Sequence, residues 1–226
     1  MYTVSFDIGT KNLAYVIVDS SLKIKVWAVV DISSKSTLQT INQLKALFDN
    51  EEINSETIKT VVLEKQPSRN PKMRVVENTI DVFFTMLGVT KVIHYSAKHK
   101  LGSIGKTIKG QKNYTMRKKY GMFMCVSFLK KTAETNLDSL VYYESHKKKD
   151  DLADCLLQCI SFLNKEMIDE LSKCIAIVWI QIPSNLDIDN RLVEDAKRPF
   201  DFTRCFDTST NEALHTGQFS WFSSHE

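Results

Sequence analysis

Tyr2-Thr3-Val4-Ser5-Phe6-Asp7-Ile8-Gly9-Thr10-Lys11-Asn12-Leu13-Ala14 is the stretch that decides the fold. Tyr2, Val4 and Phe6 fall on one side of an alternating pattern, and Thr3, Ser5 and Asp7 fall on the other, which predicts a strand. Gly9 can take the positive φ of a tight turn. Leu13 to Val18 and Ile24 to Val30 then follow as two further strands of an antiparallel meander. Leu38 to Phe48 has helical apolar spacing, and Ile58 to Glu64 reads as a buried strand. Gln66 to Pro71 is a loop whose proline suits the first turn of a helix over Met73 to Leu87. Thr90 to Tyr95 is a fifth strand, and residues 96–112 read as an exposed basic loop. Helices are expected over Tyr114 to Lys131 and Asp150 to Leu163, with 164–173 continuing the second or starting another. This order predicts an α/β domain with a mixed five-stranded sheet flanked by helices. The pattern weakens near Pro183. The expected organisation is one domain over residues 1–183 and a partly disordered extension over 184–226.

The 226 residues are 43% hydrophobic, enough for a substantial core. No apolar run reaches the ~20 residues of a membrane helix. The first residues enter a strand at once, so no signal peptide is expected. Five cysteines without a CxxC pair read as free thiols in a reducing compartment. The net charge of +3 conceals an asymmetry. Residues 82–133 hold eleven basic groups and no acidic one, while 134–226 hold nine basic and seventeen acidic. A long stretch free of carboxylates, lying between acidic motifs, suits a polyanion better than a merely solvated face.

Four carboxylates carry the chemistry. Asp7 and Glu64 close apolar strands, and Asp151 and Asp154 open an apolar helix. Their i, i+3 spacing puts Asp151 and Asp154 on one face. Singly, each has an ordinary reading: a turn former, a solvated strand end, or a helix cap. Together they repel unless a cation neutralises them. Hard oxygen ligands suit Mg²⁺, with Mn²⁺ able to substitute. Two such ions are a standard apparatus for hydrolysing a phosphodiester, so a nuclease is the first reading. Asp150 points about 100° away and ranks lower. None of the five histidines is placed as a convincing base; His94 reads as structural.

Phe6-Asp7-Ile8-Gly9-Thr10-Lys11-Asn12-Leu13-Ala14, Val62-Leu63-Glu64-Lys65-Gln66-Pro67 and Lys149-Asp150-Asp151-Leu152-Ala153-Asp154 resemble the Holliday-junction resolvases of poxviruses and other large DNA viruses. Those enzymes are RuvC-type members of the RNase H-like superfamily. The likeness covers roughly residues 1–165, and the greater length favours a large-DNA-virus homologue. It implies an RNase H-like fold and paired, metal-dependent nicking of four-way and related branched DNA. The products would carry 5′-phosphate and 3′-hydroxyl ends, in viral recombination and replication. It implies two Mg²⁺ ions held by Asp7, Glu64, Asp151 and Asp154. It also implies a functional lysine before the last helix, assigned to Lys119 with Lys118 close behind. Lys11, Arg69, Lys72 and Arg74, then Lys98, Lys100, Lys106, Lys109, Lys112, Arg117 and Lys118, are the expected DNA-binding cations. A homodimer is implied, with Val76, Ile80, Phe83, Phe84 and Leu87 as its apolar surface, although a one-sided core contact explains the same pattern about as well. The setting would be the cytoplasmic viral factory or the nucleus of an infected cell, with no membrane and no nucleotide cofactor.

Two other classes compete. Asp7-Ile8-Gly9-Thr10 resembles the first phosphate loop of actin-like ATPases, but only seven glycines and no second phosphate motif stand against that. A nuclease acting on RNA–DNA hybrids or flaps would share the carboxylates and differ in substrate. A non-cutting DNA binder has no need of all four.

Overall fold

The computed structural model describes residues 1–32, 37–46, 56–102 and 114–180, with the backbone alone at 39, 43 and 174–180. Lys106, Lys109, Lys112 and the expected extension 184–226 lie outside the described residues.

The strands are β1 (Tyr2–Ile8), β2 (Asn12–Asp19), β3 (Ile24–Asp31), β4 (Ile58–Glu64) and β5 (Lys91–Tyr95). The helices are α1 (Thr37–Lys45), α2 (Pro71–Met86), α3 (Tyr114–Lys131), α4 (Ala133–Ser145), α5 (Lys149–Leu163) and α6 (Lys165–Ile180). The sheet order is β3-β2-β1-β4-β5. β1, β2 and β3 form the antiparallel meander, and β4 and β5 run parallel to β1. The mixed five-stranded sheet is as the apolar pattern predicts.

Gly9 closes the first hairpin by donating its N–H to the Asn12 carbonyl at 3.0 Å. A Cβ on Gly9 would lie 2.7 Å from that oxygen. Among the described glycines only Gly88 and Gly102 take positive φ. Close backbone approach, not the positive φ expected from sequence, therefore demands glycine at position 9.

Strand alternation divides the core. Val4, Phe6, Ile8, Val61 and Leu63 pack with Ile80 and Phe84 of α2. On the other face Ala14, Val16 and Val18 pack with Met124 and Phe128 of α3 and Leu152 and Leu156 of α5. Each fully buried apolar side chain contributes roughly 1.5–3 kcal/mol, so both layers are held firmly. Gln158 of α5 fixes the helix to the sheet: its Nε2 donates to Ser5 Oγ at 3.1 Å and to the Phe6 carbonyl at 3.0 Å. Cys125, Cys155 and Cys159 are buried free thiols. Among the described residues no helix is long and apolar enough to cross a membrane.

Two features differ from the sequence reading. Helix α4 was not expected. Its Asn136 is buried and ties the β2–β3 turn, accepting from the Ile24 N–H at 2.8 Å and donating to the Leu22 carbonyl at 3.2 Å. On α2, Ile80 and Phe84 are fully buried in the chain's own core. They are not available to a partner; the exposed apolar residues are Val75, Val82 and Met86, with Leu87 of the expected surface exposed at the helix C-cap.

His94 of β5 ties that strand to α2. Its Nδ1 lies 2.6 Å from Glu77 Oε1 and its Nε2 lies 2.8 Å from Asp81 Oδ2. Two carboxylate partners require a proton on both ring nitrogens. Burial opposes the charge, but the bonds to Glu77 and Asp81 outweigh it and raise the pKa. A raised histidine pKa stabilises the fold fully below the unfolded value of about 6.5, and the contribution is lost as pH rises through the folded value. Urea denaturation should therefore show a stability loss as pH rises above about 6.5 that is smaller in His94→Gln. Equal pH dependence in both proteins would refute the pairing.

Candidate active site

Asp7 sits one residue before the end of β1, and Glu64 is the last residue of β4. The parallel register pairs Phe6 with Leu63, which sets the two carboxylates side by side at one edge of the sheet. Ser5 and Asp7 face α5, because alternate residues of a strand share a face. The first turns of α5 supply Asp151 and Asp154. Gln158, one turn below Asp154, anchors α5 to the strands bearing Asp7 and Glu64, through Phe6 and, at 3.4 Å, the Val62 carbonyl.

Lys100 brings these groups together. Its Nζ lies 2.7 Å from Asp7 Oδ1, 3.6 Å from Glu64 Oε1 and 3.8 Å from Asp154 Oδ2. The side chain is only 4% exposed. It follows a 3₁₀ turn at Ala97–His99, and Gly102 then turns the chain away with φ +54°. This corrects the reading of Lys100 as a DNA-gripping cation on an exposed loop: an ammonium buried among three carboxylates has no free face for a phosphate. Lys98 does remain exposed.

The electrostatics follow from crowding. Burial raises the pKa of Glu64, with the neighbouring Asp7 charge adding to it against the opposing pull of Lys100. Burial also works against ionised Asp7, but Lys100 and a hydrogen bond with Glu64 outweigh it and hold Asp7 low. Asp154 is raised by burial despite Lys100. Asp151 is raised by burial and by Asp150, while Asn12 Nδ2 donates to its Oδ2 at 3.1 Å.

Lys118 of α3 donates to Asp150 Oδ2. Its charge also acts on Asp7, Asp151 and Asp154. Lys118 therefore faces the acidic cluster through Asp150, the carboxylate that ranked lowest. Lys119, the first choice from sequence, is partly buried on the same helix turn. Lys11, Arg69, Lys72 and Arg74 are exposed near the strand ends that carry Asp7 and Glu64, and Arg117 is half-buried.

The donor set tests the implied metal. Among the described residues no three acidic, histidine or cysteine side chains are drawn together tightly enough to grip an ion as they stand. The carboxylates converge instead on the Lys100 ammonium, a cation occupying the place where a metal's charge is needed. An all-oxygen, multiply anionic set around a cation fits a hard divalent ion.

The poxvirus A22 protein family matches residues 1–166. The chain belongs to that family. A fowlpox virus resolvase solved with its substrate Holliday junction DNA is 25% identical, with a TM-score of 0.54 over 73% of this chain and 98% of that one. A second structure, of the fowlpox virus Holliday junction resolvase, is 23% identical with a TM-score of 0.52, covering 73% of this chain and 99% of that one. An uncharacterised protein (L451) of Acanthamoeba polyphaga mimivirus is 28% identical over 159 residues, or 62% of this chain. The match spans only 38% of that protein's length. The fold is thus the RNase H-like fold of viral resolvases, as the three motifs implied.

Sequence reasoning missed Asn12 and Gln158 as parts of the site and gave Lys100 a DNA-binding role instead of a place among the carboxylates. Asn12 lay within the quoted motif and had a signal. Lys100 had none, being one of eleven basic residues in a stretch without acids.

Proposed function

We propose that this chain is a divalent-metal-dependent endonuclease that resolves four-way and related branched DNA. The observation carrying the reading is the convergence of Asp7, Glu64 and Asp154 on one buried cation, in a chain of the poxvirus A22 family. Asp7, Glu64, Asp151 and Asp154 would hold Mg²⁺ or Mn²⁺. When bound, the ions supply Lewis acidity and charge neutralisation at a scissile phosphate, leaving 5′-phosphate and 3′-hydroxyl ends.

The chain's own residues prepare that chemistry. Asn12 fixes the orientation of Asp151. Gln158 holds α5 against β1 and β4, so the carboxylates of three elements keep their relative positions. Lys100 is the functional lysine in this reading, in place of Lys119. Lys118 supports the site by neutralising Asp150. Lys11, Arg69, Lys72 and Arg74 contact backbone phosphates, which position DNA without reading its sequence.

Two symmetric cuts call for two copies of the site, so the working unit is a homodimer. Val75, Val82 and Met86, at seven- and four-residue intervals on α2, form the apolar stripe for that contact. Three buried free thiols suit a reducing compartment.

The test is cleavage of a labelled four-way junction with Mg²⁺, against linear duplex, RNA–DNA hybrid and flap substrates. Paired symmetric nicks in the junction support the reading. Preferential cutting of hybrids or flaps would transfer the same metal chemistry to another substrate and overturn the resolvase assignment.

A further inference from the structure

A groove of about 560 Å³ lies at the end of β4, beside the carboxylate cluster. Its walls include Lys65, Ser68, Arg74, Asn78 and Ser96. The β4–β5 ladder continues one residue past Glu64, with the Lys65 N–H donating to the Tyr95 carbonyl at 2.8 Å. Successive residues of an extended strand point to opposite faces. Glu64 therefore turns toward α5 and the carboxylates, while Lys65 turns toward α2 and the groove. The catalytic edge and the groove are separated by one ridge of backbone, and Gln66 Nε2 braces that ridge by donating to the Glu64 carbonyl at 3.1 Å.

The chemistry of the lining is one-sided. Its single acid, Glu77, is buried and already engaged. Glu77 Oε2 accepts from the Gln66 N–H at 3.2 Å, and Oε1 meets His94 at 2.6 Å. His94 is itself held between Glu77 and Asp81. Lys65 and Arg74 form no ion pair among the described residues and are exposed. What the groove offers an incoming ligand is two cations with no ion pair among the described residues, together with hydroxyl and amide donors. An anion with several acceptor oxygens satisfies that set; a cation or an apolar group does not.

We infer that this groove is a phosphodiester-binding subsite, in which Lys65 and Arg74 grip the DNA backbone beyond the ridge from the cut. The inference rests on the proposed function for the identity of the polyanion. It separates Arg74 from the other exposed cations of the Gln66–Arg74 segment and adds Lys65, Ser68 and Ser96, which sequence reasoning did not single out. A strand whose scissile phosphate lies at Glu64 crosses the β4 end and is held on the α2 side. That holds the strand on both sides of the sheet edge, which a single row of surface lysines would not do.

The test is junction binding by fluorescence anisotropy across a salt series, in Ca²⁺ and without cleavage. The variants are Lys65→Ala, Arg74→Ala and their double. Each phosphate contact contributes about 0.9 to the slope of log K against log[salt] on duplex DNA. The double variant should lose about 1.8 of that slope and bind about tenfold more weakly near physiological salt. A charge-matched control, Lys23→Ala with Lys59→Ala, removes two cations from the far end of the sheet and should leave both quantities near wild type. Slope and affinity in the groove double variant equal to those of the control would overturn the inference. Loss of slope on linear duplex as well as on junctions, in a protein with no junction preference, would keep the phosphate groove and sink the resolvase reading. A thermal melt equal to wild type is expected for all four variants, since each removed side chain is exposed.

Discussion

Asp7→Asn should reduce single-turnover cleavage of a four-way junction in Mg²⁺ by at least about 10³-fold, a loss of about 4 kcal/mol of transition-state stabilisation. Junction binding should stay within about threefold of wild type. The separation follows from what Asp7 touches. It is held ionised by Lys100 and by its hydrogen bond with Glu64, at the strand edge where the carboxylates of β1, β4 and α5 meet. Asparagine keeps the shape but gives up one full negative charge and one of two anionic oxygens, so a hard divalent ion held there would lose one of its carboxylate ligands. The cations expected to carry DNA affinity lie on other segments and are unchanged. The same variant should also lose most of the thermal stabilisation that Mg²⁺ gives the wild type, a readout independent of DNA. Full cutting by Asp7→Asn would sink the catalytic assignment. Loss of cutting together with loss of junction binding would instead place Asp7 in the DNA-binding surface.

What could be read in advance reflects how each residue's role is encoded. The β1 strand and Asp7 were legible because alternation is local: Val4 and Phe6 enter one core layer, and Ser5 and Asp7 must then face the other. The Asp151/Asp154 pair was legible because helical spacing is also local. Helix α4 left no such trace. Only Asn136 and Tyr143 are buried along it, while Leu137 and Val141 are exposed, so its apolar residues do not form the stripe that pattern reading seeks. The direction of α2 stayed open between a core contact and a dimer surface for a related reason. Its apolar positions nearly encircle the helix, and only packing decides that Ile80 and Phe84 turn inward while Val75 and Val82 turn out. Lys100 was misread because its role depends on contacts 93, 36 and 54 residues away, with Asp7, Glu64 and Asp154. A lysine among lysines reads as surface charge until the tertiary fold buries it.

Lys100→Met should bind Mg²⁺ or Mn²⁺ at least about tenfold more tightly than wild type, yet cut DNA more slowly. In the proposed reading the ammonium and a divalent ion would compete for the same oxygens: Nζ is 2.7 Å from Asp7, with Glu64 and Asp154 at 3.6 and 3.8 Å. Methionine fills similar volume without the charge, so the competitor is removed while the packing survives. The variant should pay for this in the absence of metal. Removing one partner of a buried ion cluster leaves carboxylates uncompensated, at a cost of roughly 3 kcal/mol. Chemical denaturation without divalent ion should report that loss, and added Mn²⁺ should restore the variant by more than it stabilises wild type. Slower cutting would follow because the ammonium that holds Asp7, Glu64 and Asp154 in their relative positions is lost. The combination is diagnostic. A merely structural lysine would lower stability without tightening metal binding. A lysine that only touches DNA would leave both metal affinity and metal-free stability unchanged. Weaker metal binding in Lys100→Met would mean that the ammonium helps assemble the site, and would refute the competition between Lys100 and the divalent ion.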